Sequence, residues 1–210
     1  MSDILPITLV VEDILSEETL RKILQASGRP YHVGAVYGRK GFGYIKGRIE
    51  GFNQAAKGRP YLVMTDLDQT ECPPTLIDDW FTHPIQPNLL FRVAVHEVEA
   101  WLLADRKAFA RFLGIAQDLV PTYPEKLQKP KRKLIALAKK SKKKILRNAI
   151  VPAPGVTTPI GPDYNGALAK FVRNHWTPSR AKANSPSLER AIRAIREFVP
   201  VYQPGREENG

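Results

Sequence analysis

Short apolar runs alternate with amphipathic stretches over the first 105 residues, a pattern that predicts repeated strand–helix units. Residues 4–11 are rich in β-branched side chains, broken by Pro6, and read as a strand ending in Glu12-Asp13. Ser16 is the expected cap of the next helix, with Glu17 and Glu18 in its first turn and Leu20, Ile23 and Leu24 on its buried stripe. A second strand is expected over 31–37. Ile45, Ile49, Phe52 and Ala56 then share one face of a single further helix. A third strand over 60–66 leads through Cys72-Pro73-Pro74 into a short helix ending near Trp80-Phe81. A fourth strand over 89–95 and a helix over 96–105 complete the series. Such alternation predicts an α/β fold, a mostly parallel sheet flanked by helices.

Beyond residue 105 the pattern changes to helices separated by proline-punctuated loops, so two units are expected, 1–105 and 106–210. Leu134, Leu137/Ala138, Ser141 and Ile145 form a narrow apolar stripe that predicts one helix in the middle of the second unit. A last helix should start at Ser185-Pro186 and bury Leu188, Ile192, Ile195 and Val199.

Charge sharpens this division. The 210 residues carry a net +11, yet residues 1–120 hold 13 Lys/Arg against 15 Asp/Glu. Residues 126–147 alone hold 11 Lys/Arg and no acid, equal to the whole excess. A hydrophobic share of 43% supplies a packed core, and no apolar run has the length of a membrane span. One cysteine, Cys72, excludes an internal disulfide or a multi-cysteine zinc site. With no basic region leading into an apolar one at the start, the cytoplasm is the expected setting.

The chemistry centres on Asp66-Leu67-Asp68, where a buried run ends in two acids one residue apart. On a strand both carboxylates would point the same way and repel unless a cation lies between them. Glu12, Asp66, Asp68 and Glu97 all follow expected strands, at the edge where parallel sheets bind ligands. Oxygen donors of this kind suit Mg²⁺ or Mn²⁺. Glu17 is a weaker candidate ligand, explained equally by the helix dipole. Glu97 and Glu99 would diverge on a helix, so only one is expected in the site. His96 forms no zinc pattern with its neighbours. The glycine-rich loop carrying Arg39 and Lys40 lacks the P-loop ending and serves either as a phosphate grip or as a connector. Within the basic segment, Lys131, Arg132, Lys133, Lys139, Lys140, Lys142, Lys143, Lys144 and Arg147 are the expected contacts to nucleic-acid phosphates.

The stretches Val10-Val11-Glu12-Asp13, Ser16-Glu17, Asp66-Leu67-Asp68 and Glu97-Val98-Glu99-Ala100-Trp101-Leu102-Leu103-Ala104-Asp105 resemble a bacterial TOPRIM-like family. That family is similar to the nuclease half of the overcoming-lysogenization-defect proteins, often found beside ATPases in phage-defence loci. The resemblance covers about the first half of the chain. Gly161-Pro162-Asp163-Tyr164-Asn165 and Ser185-Pro186-Ser187-Leu188 are also similar to one branch of it. It implies metal ligation by Glu12, Asp66 and Asp68, with Glu17 matching a second early acid, and a separate chain as any ATPase partner. Four residues separate Glu12 from Glu17 where these nucleases usually have three, and Asp13 stands where glycine is common.

Three functions are carried forward. One is a metal-dependent nuclease acting on DNA or RNA. A second is a TOPRIM-like module that binds nucleic acid or a partner without cutting. The third is a phosphohydrolase of the haloacid-dehalogenase type, since Asp66-Leu67-Asp68-Gln69-Thr70 also fits D-x-D-x-T, with Asp66 as nucleophile and Asp68 as acid.

Overall fold

The structure is a computed structural model and describes residues 4–201. Strands β1 (Leu5–Val11), β2 (Tyr31–Gly38), β3 (Tyr61–Asp66) and β4 (Leu89–Ala94) form one all-parallel sheet in the order β2-β1-β3-β4. Parallel neighbours cannot be joined by a tight hairpin, so each connection crosses over through helix. Helix α1 (Ile14–Ala26) joins β1 to β2; α2 (Phe42–Lys46) and α3 (Ile49–Ala55) join β2 to β3; α4 (Pro73–Trp80) joins β3 to β4. The α/β architecture expected from the alternation is the one the chain forms.

A parallel sheet needs cover on both faces. Strand alternation sends Leu9, Val11, Leu62 and Met64 to one face and Val10, Tyr61, Val63 and Phe91 to the other. The second face is closed by Ile45, Ile49, Leu76 and Trp80 from α2–α4. Over the first lie α1 and α5 (Val98–Ala104), joined by α6 (Arg106–Leu113), α7 (Pro130–Lys139) and α8 (Lys144–Ile150). Helices α9 (Tyr164–Asn174), α10 (Pro178–Ala181) and α11 (Pro186–Glu197) complete that layer. One apolar core runs from Leu9 and Met64 through Trp101 to Phe171, Trp176 and Ile195, so residues beyond 105 share a core with the sheet. Buried polar contacts fasten them: Trp101 Nε1 donates to Ser187 Oγ (2.7 Å), and Trp176 Nε1 donates to the Trp101 carbonyl (3.0 Å). Arg180 reaches the Asp105 carboxylate at 2.7 and 3.1 Å.

Local chemistry redraws several expected boundaries. Asp13, not Ser16, caps α1, its Oδ1 accepting from Ser16 N–H at 2.8 Å. The helix expected around Ile45–Ala56 is two helices, broken at Gly47-Arg48. The helix expected over 96–105 starts at Val98, because His96 has φ 61° and Glu97 is extended at the cap position. The basic segment is not one helix. Buried Ser141 donates to the Leu113 carbonyl (2.5 Å) and accepts from Lys143 N–H (3.1 Å), which ends α7 and restarts the chain as α8. Ile145, expected on the buried stripe, is 85% exposed in consequence. Val199 lies beyond α11 and is likewise exposed. Among the described residues no helix is long and apolar enough to cross a membrane.

Candidate functional site

The strand order reverses between β1 and β3, and the crevice at such a switch point is where open parallel sheets hold ligands. Glu12 follows β1 and Asp66 ends β3, so the two acids meet there. Glu12 Oε1 accepts from Thr65 Oγ1 (2.5 Å) and from Asp66 N–H (2.9 Å), bridging the strands. Asp66 Oδ1 in turn accepts from Val98 N–H at 2.9 Å, tying β3 to α5. The end of β2 is drawn into the same edge. Gly38 has φ 101°, and a Cβ there would lie 2.0 Å from the Val11 carbonyl oxygen, so only glycine fits. Arg39 N–H then reaches Val11 O (2.9 Å) and Gly41 N–H reaches Glu12 O (3.0 Å).

Among the described residues three non-glycines adopt the left-handed region, and each lies just past a strand: Arg39 after β2, Asp68 after β3 and His96 after β4. Each such residue costs about 1–3 kcal/mol, a strain that clusters at functional sites. Asp68 N–H donates to the His96 carbonyl (2.8 Å), so two of the three support each other. This geometry corrects the expectation that Asp66 and Asp68 project together by strand alternation. The strand ends at Asp66, Leu67 is buried, and the backbone turns before Asp68. Asp66 is half-buried and Asp68 is exposed.

Glu99 joins Asp66 from below. Its side chain is 1% exposed; Oε1 accepts from Tyr164 Oη (2.8 Å) and lies 3.5 Å from Lys131 Nζ, while buried Oε2 has no partner among the described residues. Glu97 takes a different position. Its Oε2 accepts from the backbone N–H of Lys131 (2.6 Å), capping the first turn of α7 from outside. Both glutamates thus reach the site region, one beneath it and one on its wall, because Glu97 precedes the helix instead of lying on it. Burial, with Glu99 and Glu12 adding to it, pushes the Asp66 carboxyl well above its ordinary value. Burial also raises Glu99 and Glu12, against the pull of Lys131 on the first and of Thr65 on the second. Burial raises the Tyr164 phenol well up, and Glu99 adds to it. Desolvation opposes the charge on Lys131, but Glu99, Glu97 and Asp66 outweigh it and push the amine up to about 12.

The remaining candidates divide by what they already hold. Glu17 is buried with Arg21 on Oε1 (2.8 Å) and Arg39 on Oε2, so both oxygens are committed to guanidinium groups and not to the acid cluster. Arg39 is thereby half-spent, while Lys40 is exposed, its Nζ 5.5 Å from the Tyr44 ring centroid. Lys143 Nζ donates to the Arg111 and Phe112 carbonyls at 3.0 and 2.8 Å, closing the end of α6. Arg147 donates to the Ser141 carbonyl (3.0 Å). Arg132, Lys139, Lys140, Lys142 and Lys144 are exposed, and Lys133 is half-buried. Lys131 and Tyr164 are the residues whose roles the sequence misplaces or misses. Lys131 reads as one more cation in a run, and Tyr164 stands in a recognisable stretch with no chemical signal of its own.

Between the acid edge and α7 opens a cleft of about 690 Å³, with Asp68 and Glu97 on one side and Lys131 and Arg132 on the other. The acids beside it are all oxygen donors, matching a hard divalent ion. The unpartnered Glu99 Oε2 and the stand-in ammonium of Lys131 both mark a place short of positive charge. Among the described residues no three His, Cys, Asp or Glu side chains converge on one point. The expected metal ligands Glu12, Asp66 and Asp68 are therefore not gathered at one point in this structure. No family model, no curated protein and no solved structure matches this chain.

Proposed function

We propose that the protein is a metal-dependent nuclease of TOPRIM-like type, cutting DNA or RNA at the carboxyl edge of its sheet. The observation that carries this is the half-buried Asp66 carboxyl at the switch point, bonded by the Val98 N–H, with Glu12 and Glu99 raising its pKa and Lys131 lowering it. An acid so placed is unstable as an anion without added cation. Glu12, Asp66 and Asp68 would hold Mg²⁺ or Mn²⁺, which supplies charge stabilisation on the phosphoryl oxygens and an activated water. Thr65 and the Asp66 amide orient Glu12. Glu97 seats α7 so that Lys131 and Arg132 face the cleft, where they neutralise the phosphate being cut. In this reading any ATPase partner is a separate chain.

A second reading has an observation of its own. Lys131 already compensates the acids, and among the described residues no three carboxylates converge, which favours a module that binds nucleic acid without cutting. The haloacid-dehalogenase reading needs Asp66 as an ionised nucleophile, and desolvation, which raises its pKa, works against that.

The test is a cleavage screen over plasmid, single-stranded DNA and total tRNA with Mg²⁺ or Mn²⁺. Wild type should cut at least one substrate, and Glu12→Ala or Asp66→Ala should lower the rate at least about a hundredfold. Undiminished cleavage in either variant overturns the assignment. Salt-sensitive binding with no product in any metal selects the second reading.

A further inference from the structure

The cleft beside the acids has a feature that phosphate chemistry does not use. Phe42, the first residue of α2, lines it with 38% of its surface exposed, and Ile135 and Pro159 add apolar surface. The Phe42 ring is fixed from behind: it meets Trp80 at 5.3 Å between centroids and 68°, and Trp80 rests on Phe91 at 5.5 Å. A ring held by its neighbours and still open on a cleft is a preorganised stacking surface. Gln69 and Gln128, which line the same space, offer amide donors and acceptors, and Arg132 offers a planar cation. The volume of about 690 Å³ lies within the range of small-ligand sites.

We propose that this cleft is a subsite for one unstacked nucleobase of a single-stranded nucleic acid, with Phe42 as the stacking platform and Arg132 on the adjoining phosphate. Base faces in a duplex are covered by their neighbours, whereas single strands offer them to aromatic side chains. The occupant follows from complementarity: an apolar wall and two amides suit a base, and the lysine and arginine of α7 suit the phosphate beside it. The inference deepens the nuclease reading by naming its substrate class, and it rests on that reading for the cut itself.

The experiment uses the full chain in EDTA, so that binding is measured without cleavage. The probe is a ten-nucleotide strand, as DNA and as RNA, with one 2-aminopurine, compared with the same strand annealed to its complement. Wild type should bind the single strand more tightly than the duplex and change the 2-aminopurine fluorescence. Phe42→Ala should weaken single-strand binding about tenfold and abolish the fluorescence change, while Phe42→Trp keeps both. Gln128→Ala, at an exposed position, should weaken binding of the base-bearing strand and not of its abasic counterpart. Equal affinity for single strand and duplex, equal competition by polyglutamate, or no effect of Phe42→Ala in a chain with wild-type melting overturns the proposal. Base-dependent binding with no cleavage in any metal would sink the nuclease reading alone. Cleavage that ignores strandedness and Phe42 would sink the base subsite alone.

Discussion

The acid edge of the sheet and the basic segment 126–147 are the two concentrations of charge in this chain, and the fold treats them in opposite ways. The acids come from separate strands and helices and are brought near one another, so that Glu12 and Glu99 both act on Asp66. The lysines are contiguous in sequence and are dispersed. Lys131 is drawn into the acids, Lys143 closes the end of α6, and Lys142 and Lys144 stay in solvent. A charge run in a sequence is therefore several functions written side by side, while a functional centre is one function written far apart. What decides each residue is the backbone group or carboxylate nearest to it.

Lys131→Met is the sharpest way to break this comparison. It leaves Glu99, Glu97 and Asp66 without the cation that now offsets them. Removing one partner of a buried ionic set costs about 3–5 kcal/mol, and the partial exposure of Lys131 reduces this to about 2–3 kcal/mol. Urea unfolding in EDTA should show the loss, and Mg²⁺ or Mn²⁺ should restore part of it by taking the vacated charge. A variant as stable as wild type in EDTA would mean that the acids do not depend on Lys131.

Asp66→Asn has the opposite sign and a smaller size. The Asp66 carboxyl is raised by burial and by Glu99 and Glu12, so the folded chain holds this proton to higher pH than the unfolded chain does. Stability then falls as pH rises from the ordinary aspartate range to the raised native value, and the penalty is full above it. Asparagine keeps an oxygen for the Val98 N–H and removes the charge. Metal-free Asp66→Asn should gain about 0.5–2 kcal/mol at pH 7.5, with the gain shrinking toward pH 5. Paired denaturation curves at the two pH values check it, and a destabilised variant at pH 7.5 would refute the crowding of this acid.

How much of this was legible follows from where each determinant sits. The sheet was readable because its strands alternate faces, with Leu9 and Val11 on one side and Val10 on the other, within a single run. Glu12 and Asp66 were readable as acids at strand ends. The turn that separates Asp66 from Asp68 was not, because nothing in Leu67-Asp68 announces a left-handed aspartate. Nor was the break at Ser141 readable, since its partner, the Leu113 carbonyl, is remote in sequence. Tyr164 and Lys131 acquire their roles from Glu99, across distances in the chain that no local pattern spans.

The smallest effect on folding carries the last contrast, between adjacent lysines. Lys142 and Lys144 are exposed and make no bond to the protein among the described residues, whereas Lys143 Nζ holds two carbonyls at the end of α6. Lys142→Ala and Lys144→Ala should each change stability by less than about 0.5 kcal/mol. If they meet phosphates, each should also reduce the salt slope of single-strand binding by about 0.7. Lys143→Ala should do the reverse, lowering the melting temperature and leaving the salt slope nearly unchanged, because its ammonium is already engaged. Titrations from 50 to 200 mM salt beside thermal melts separate the two behaviours. Three indistinguishable variants would mean that composition, and not position, governs the basic segment, and the contrast with the acid edge would dissolve.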